Sequence, residues 1–268
     1  MPKDEVSIRP KFNDLGLPGR KSNVLVSIVL ATHNEVSNLP ALLDRIESSI
    51  EFEHEIIFAD DISTDGTRDY IAEYAKNHTR CKYIFSENMN GTALARYKGI
   101  RIANGDFIVI MDADLQHPPE KLNEMITSLE AGFDFVTCSR YIEGGSTGNR
   151  DPFRGLISRV AALLAKLLLR SARILSDPLS NYIAFRSNLS VPNVSWKGFE
   201  LPLAIIGSNP GITIKEIPFD FRERDRGESS VISQHTFVMT YIKELIIYKK
   251  INNKEIKFAN LVGDGVDS

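Results

Sequence analysis

Between residues 24 and 139 the chain alternates short β-branched runs with stretches whose apolar residues recur at helical spacing, a rhythm that few folds accept. The first run, VLVSIVLA at 24–31, has almost no polar alternation, the pattern of a strand buried on both faces. Behind it Leu39, Leu42, Leu43, Ile46 and Ile50 line one helical face, with Ser37 as the expected N-cap. The same pattern predicts strands at 55–59, 82–86, 106–111 and 133–139, and helices near 67–77, 92–104 and 118–131. The fold class is therefore α/β, with a mainly parallel sheet flanked by helices. Ligands of such sheets bind beyond the carboxyl ends of the strands, which singles out 31–35, 60–66 and 112–117.

A chain of 268 residues with 43% hydrophobic and 25% charged side chains can bury one large core. We expect a lead-in at 1–22, a catalytic domain at 23–232 and an amphipathic helix with a tail at 233–268. A net charge of −3 gives no global basic field, which argues against nucleic acid as a partner. Cys81 and Cys138 lie outside any CxxC or Cys/His spacing, so neither a disulfide framework nor zinc is expected. No signal-like apolar stretch opens the sequence and no window is apolar enough to span a bilayer, so a cytoplasmic protein is expected. After the Gly-rich stretch EGGSTGNRDPFRG, residues 156–175 form an apolar run spaced by Arg159, Lys166, Arg170 and Arg173. That spacing, repeated with lysines at 237–251, suits amphipathic helices lying on a membrane surface. A further strand pair is expected at 212–221.

The chemistry concentrates at the strand ends. Asp112-Ala113-Asp114 closes the strand FIVIM, and two carboxylates separated by one residue can aim at a common divalent ion. The acidic turn DDISTDGT at 60–67 begins like a calcium loop, but the twelfth position is Ala72 where a bidentate Glu is needed, so calcium is rejected. Asp61, at the strand end, suits a carboxylate that accepts from a nucleotide base, while Asp65 or Thr67 suits a helix cap. No G-x-G-x-x-G, P-loop or GxSxG stretch occurs, which excludes the usual dehydrogenase, NTPase and serine-hydrolase signatures.

The series ATHNE (31–35), DDISTDGT (60–67), GTALARYKGIRIANGD (91–106), MDADLQHPPE (111–120), SRYIEGG (139–145), DPLSNYIAFR (177–186) and FRERDRGESS (221–230) resembles the dolichyl-phosphate mannose synthase group of family-two glycosyltransferases. The resemblance runs from about 24 to 230 and implies a glycosyltransferase A fold. It implies inverting transfer of mannose or glucose from GDP-mannose or UDP-glucose to a polyprenyl or dolichyl phosphate, with Mg²⁺ or Mn²⁺. Carried over by position, Ala31, His33, Glu35, Ala59 and Asp61 line the nucleoside. Asp112, Ala113, Asp114 and Gln116 hold metal and diphosphate. Arg140, Arg154 and Ser158 meet the acceptor phosphate, and Arg224 closes over the donor phosphates. The group also implies peripheral attachment to the cytoplasmic face of a membrane and a small membrane-anchoring partner.

Three departures stand out. His33 replaces the customary Tyr, Ser230 a customary Lys and Asn181 a customary Gly, changes that bear on base, diphosphate and sugar. The tail resembles the start of a lost or truncated membrane domain. Two alternatives remain at this point: transfer to a sugar hydroxyl with Glu200 as base, and a subunit that binds nucleotide sugar without turnover.

Overall fold

A computed structural model describes residues 24–87, 91–148, 152–192, 201–221 and 245–246. Arg224, Glu200, the lead-in and nearly all of the expected second amphipathic helix lie outside the described residues, as do the side chains of 152–154, 156 and 157.

Seven strands, β1 (Leu25–Thr32), β2 (Glu53–Asp60), β3 (Cys81–Phe85), β4 (Phe107–Asp112), β5 (Phe135–Ser139), β6 (Ile183–Arg186) and β7 (Ile214–Pro218), form one sheet in the order β3-β2-β1-β4-β6-β5-β7. All neighbours run parallel except at β6, which is antiparallel to both β4 and β5. The helices are α1 (Leu39–Ser49), α2 (Thr67–Asn77), α3 (Thr92–Arg101), α4 (Leu122–Glu130), α5 (Pro152–Leu168), α6 (Arg170–Arg173) and α7 (Leu201–Ser208).

Two apolar clusters cover the two faces of the sheet. On one face Val26, Ile28 and Leu30 pack with Leu39, Leu42 and Ile46 of α1, Ile71 of α2 and Met125 and Leu129 of α4. On the other Val29, Ile57, Ile108 and Ile110 pack with α3, α5, α6 and α7. Alternation along each strand sends successive side chains to opposite clusters, so the continuous apolar runs are what a doubly covered sheet needs. α3 lies close: a Cβ on Gly99 would come within 2.6 Å of Val29, so this turn of the helix tolerates only glycine.

Two expectations need correction, and one strand was missed. The region 212–221 holds the single strand β7, parallel to β5, with an isolated bridge between Ser146 and Asp220. β6 was not anticipated, because four residues ending in Arg186 carry too little pattern to stand out. At α1 the N-cap is Asn38, not Ser37, and its side chain donates to Glu35 (2.6 Å) instead of capping the helix.

Candidate active site

The strand order reverses at β1, which has β2 on one side and β4 on the other, and ligands of open α/β sheets bind beyond the carboxyl ends of the strands at such a reversal. Ala31 is in register with both Ala59 and Asp112, so three of the expected site positions stand level across three strands. The loops that follow contain Asn34 (φ 58°), Ile62 (φ 56°) and Leu115 (φ 65°), the only left-handed residues other than glycine among those described. Such a conformation is uncommon for Leu and a true outlier for β-branched Ile, and it marks places where surrounding structure overrides local preference.

What overrides it is a lattice of side-chain-to-backbone hydrogen bonds. The Asn34 N–H donates to Ser63 Oγ (2.8 Å), Thr64 N–H to Asn34 Oδ1 (2.8 Å), Glu35 N–H to Thr67 Oγ1 (2.9 Å) and Val36 N–H to Asp65 Oδ2 (3.2 Å). The β1–α1 and β2–α2 loops are thereby zipped together. The two adjacent aspartates divide the labour. Asp60 is fully buried and accepts from Thr32, from the Ser63 backbone and hydroxyl, and from Arg68 Nε (2.5 Å). Asp61 receives the Gly91 N–H (3.0 Å), and its carbonyl receives His33 Nδ1 (2.6 Å), which puts the imidazole proton on Nδ1. Glu35 is buried and holds Asn38, so it acts on loop shape as much as on any ligand.

The DAD turn is built from below. His117 Nδ1 accepts the Asp112 N–H (3.0 Å), and its ring stacks on Tyr182 at a centroid distance of 4.9 Å. Burial holds this imidazole below the usual histidine range despite the pull of Asp112 and Asp114. From the opposite face Arg96 of α3 donates through Nη2 to Asp112 Oδ1 (2.5 Å), while the Gln116 N–H donates to Asp114 Oδ1 (3.2 Å). Ala113 and Asp114 are buried, and Asp112 and Gln116 are half-buried.

Among the described residues no three His, Cys, Asp or Glu side chains group to hold a metal ion. Two carboxylates do fit Mg²⁺ or Mn²⁺, hard ions that take one or two carboxylates and fill their remaining positions with substrate phosphate. Asp112 and Asp114, with Gln116 in the same turn, are the residues present for this.

At the end of β5, Arg140 makes a buried two-pronged ion pair with Asp177, Nε to Oδ2 at 2.7 Å and Nη2 to Oδ1 at 2.8 Å. Burial works against this charge, yet the Asp177 hydrogen bonds and carboxylate outweigh it and keep the guanidinium above its ordinary pKa. The fork of this guanidinium is turned to Asp177, which leaves Nη1 and the outer N–H of Nη2. The Gly-rich loop after β5 is stitched to 219–221 by Ser146 N–H to Phe219 O and Phe221 N–H to Ser146 O. Ser158 is buried on α5, and Arg154 precedes it by about one helical turn. α5 buries Ala161, Ala162 and Ala165, and it exposes Val160, Leu163 and Leu167 at 48%, 57% and 60%.

His117, Arg96, Asp60 and Asp177 were not anticipated as site residues. All four lie inside the quoted motifs, but nothing in their spacing tells a buried support from a ligand.

The chain matches the family model described as glycosyl transferase family 2 over residues 27–181. It is 32% identical over 238 residues to the dolichol-phosphate mannosyltransferase of Pyrococcus furiosus, covering 87% of this chain and 67% of that protein. To the dolichol-phosphate mannosyltransferase of Saccharomyces cerevisiae it is 30% identical over 249 residues, 87% of this chain and 91% of the relative. Among solved structures, glucosyl-3-phosphoglycerate synthase from Mycobacterium tuberculosis in complex with Mn²⁺, UDP and glucosyl-3-phosphoglycerate superposes with a TM-score of 0.59 at 18% identity, covering 91% and 88% of the two chains. That likeness bears on the fold alone.

Proposed function

Because this chain belongs to glycosyl transferase family 2, within the dolichol-phosphate mannosyltransferase group, we propose that it moves mannose or glucose from GDP-mannose or UDP-glucose to a polyprenyl or dolichyl phosphate. What supports this reading is that Asp61, the DAD turn and Arg140 follow the carboxyl ends of β2, β4 and β5, which lie at the same edge of the sheet. His33, with Ala31, Ala59 and Glu35 around it, walls the nucleoside side, and Asp61 accepts from the base. Asp112, Asp114 and Gln116 would hold Mg²⁺ or Mn²⁺. When bound, such an ion stabilises charge on the departing nucleoside diphosphate.

A phosphate monoester has a second pKa near ~6, so its oxygen is already anionic at neutral pH. No protein base is needed. The phosphate oxygen forms a bond to the anomeric carbon from the face opposite the diphosphate, the bond to the diphosphate breaks, and the configuration inverts with no proton transferred. The protein's task is to bring two anions together, which Arg140, Arg154 and Arg224 favour by supplying positive charge, and Ser158 adds a hydroxyl for the acceptor phosphate.

The acceptor is a lipid, and the exposed Val160, Leu163, Leu167 and Ile174, flanked by Arg159, Arg170 and Arg173, suit a peripheral seat on the cytoplasmic face of an anionic bilayer. No described helix is long and apolar enough to cross a membrane. A small membrane-anchoring partner is compatible with this seat. The test is incubation with radiolabelled GDP-mannose or UDP-glucose, a polyprenyl phosphate and Mn²⁺, followed by organic extraction. Label in the lipid phase is expected, and label only in water-soluble glycoside would overturn the acceptor class.

A further inference from the structure

Two of the buried polar atoms without a hydrogen-bond partner among the described residues are Arg96 Nε, on the side chain that holds Asp112, and Asn181 Oδ1. Arg96 is 3% exposed and Asn181 5%, so bulk water does not serve them readily. Leaving a donor and an acceptor buried and unsatisfied is unfavourable, and native proteins keep few such atoms.

Strand register points both residues to the same part of the sheet. β6 pairs with β4 through Ile183 opposite Ile110, and with β5 through Ile183 opposite Thr137. The Cys138 N–H donates to Tyr182 O, which carries the β5 register one residue further. Continued by one more pleat, the same registers set Asn181 between Asp112 on β4 and Ser139 on β5, midway between the DAD turn and Arg140. Alternation gives Asn181 the face of Ile183, which packs with Ile108, Ile110 and Phe185. α3 covers that face, and Arg96 reaches Asp112 from it.

We propose that Arg96 and Asn181 form a hydroxyl-reading subsite for the hexose of the nucleotide-sugar donor, one N–H donating to a sugar oxygen and one amide oxygen accepting its proton. The chemistry is selective. A diphosphate oxygen at neutral pH carries no proton for Asn181 Oδ1, whereas a hydroxyl both accepts and donates. The position agrees, because the transferred sugar must lie between the group that holds the diphosphate and the group that meets the acceptor. Arg96 also keeps one arm on Asp112, so the hydroxyl and the DAD turn are read by one guanidinium. This deepens the proposed function and rests on it.

The experiment uses the full chain with Mn²⁺ and whichever of GDP-mannose and UDP-glucose it prefers, together with the monodeoxy analogues of that donor. Both kcat/KM with a polyprenyl phosphate and equilibrium affinity in the absence of acceptor are measured. In the unmodified protein one analogue should lose about tenfold or more in affinity, because a site built to bond a hydroxyl is left unpaired by its removal. Asn181→Leu, close in volume, should bring that ratio to within about threefold while the affinity for GDP or UDP alone changes little. Arg96→Lys, which keeps a cation beside Asp112 and loses Nε–H, should shrink discrimination at the same hydroxyl. If the ratio is unmoved in a variant whose circular dichroism is native, the subsite is overturned and the two atoms hold water. If neither GDP nor UDP binds the unmodified protein, the donor reading itself has failed and the subsite falls with it.

Discussion

At the ends of β1 and β2, two loops are tied to each other by many individually modest hydrogen bonds, whereas the end of β5 rests on one buried ion pair, Arg140–Asp177. The first arrangement spreads its stabilisation over Asn34, Ser63, Asp65 and Thr67, so the backbone of the proposed donor side is held even in the left-handed conformations at Asn34 and Ile62. The second concentrates it. A distributed lattice gives a preformed wall that tolerates the loss of one member, while a single buried pair fixes one cation firmly and fails as a unit.

The largest effect should come from the DAD turn, where the two sides meet. Asp114→Ala is expected to lower transfer by about a thousandfold or more and to remove metal-stimulated nucleotide binding, with circular dichroism unchanged. Full activity of this variant, or of the unmodified protein in chelator, would break the assignment.

Next comes the contrast itself. Asp177→Ala leaves the Arg140 charge buried without its partner and should cost about 3–5 kcal/mol in urea unfolding. Ser63→Ala, which removes one knot of the donor-side lattice, should cost about 1–2 kcal/mol. Equal losses at the two positions would show that the two sides are held in the same way.

The smallest effect on the fold should follow changes on α5. Leu163→Ser with Leu167→Ser removes apolar surface that is already in solvent, so stability should move by no more than about 0.5 kcal/mol. Flotation with anionic vesicles at low salt should nevertheless fall several-fold, and GDP or UDP affinity should stay as it was. Unchanged flotation would remove α5 from the membrane seat.

The alternation of strands and helices was legible because doubly buried strands carry unbroken apolar runs, as in VLVSIVLA, and α2 falls at 67–77 as its pattern predicts. β6 was not, since IAFR is short, and its antiparallel place between β4 and β5 depends on a long return of the chain. DAD and DDISTDGT could be picked out because acidic residues at strand ends have few structural uses. Which of Asp60 and Asp61 would be sequestered could not, because adjacent side chains on a strand point to opposite faces and only packing decides what waits there. Arg68 and Ser63 wait for Asp60; Gly91 meets Asp61.

The amino-acid sequence by itself determined the α/β layering, the strand ends that carry carboxylates and the family, because these depend on local periodicity and on motifs read in order. Only the tertiary structure decided that Arg140 spends its fork on Asp177, and that His117 and Arg96 brace the DAD turn from opposite faces. The reason is physical: each of these depends on partners 5 to 37 residues away in the chain or on strand register, and neither is written in any single window of sequence.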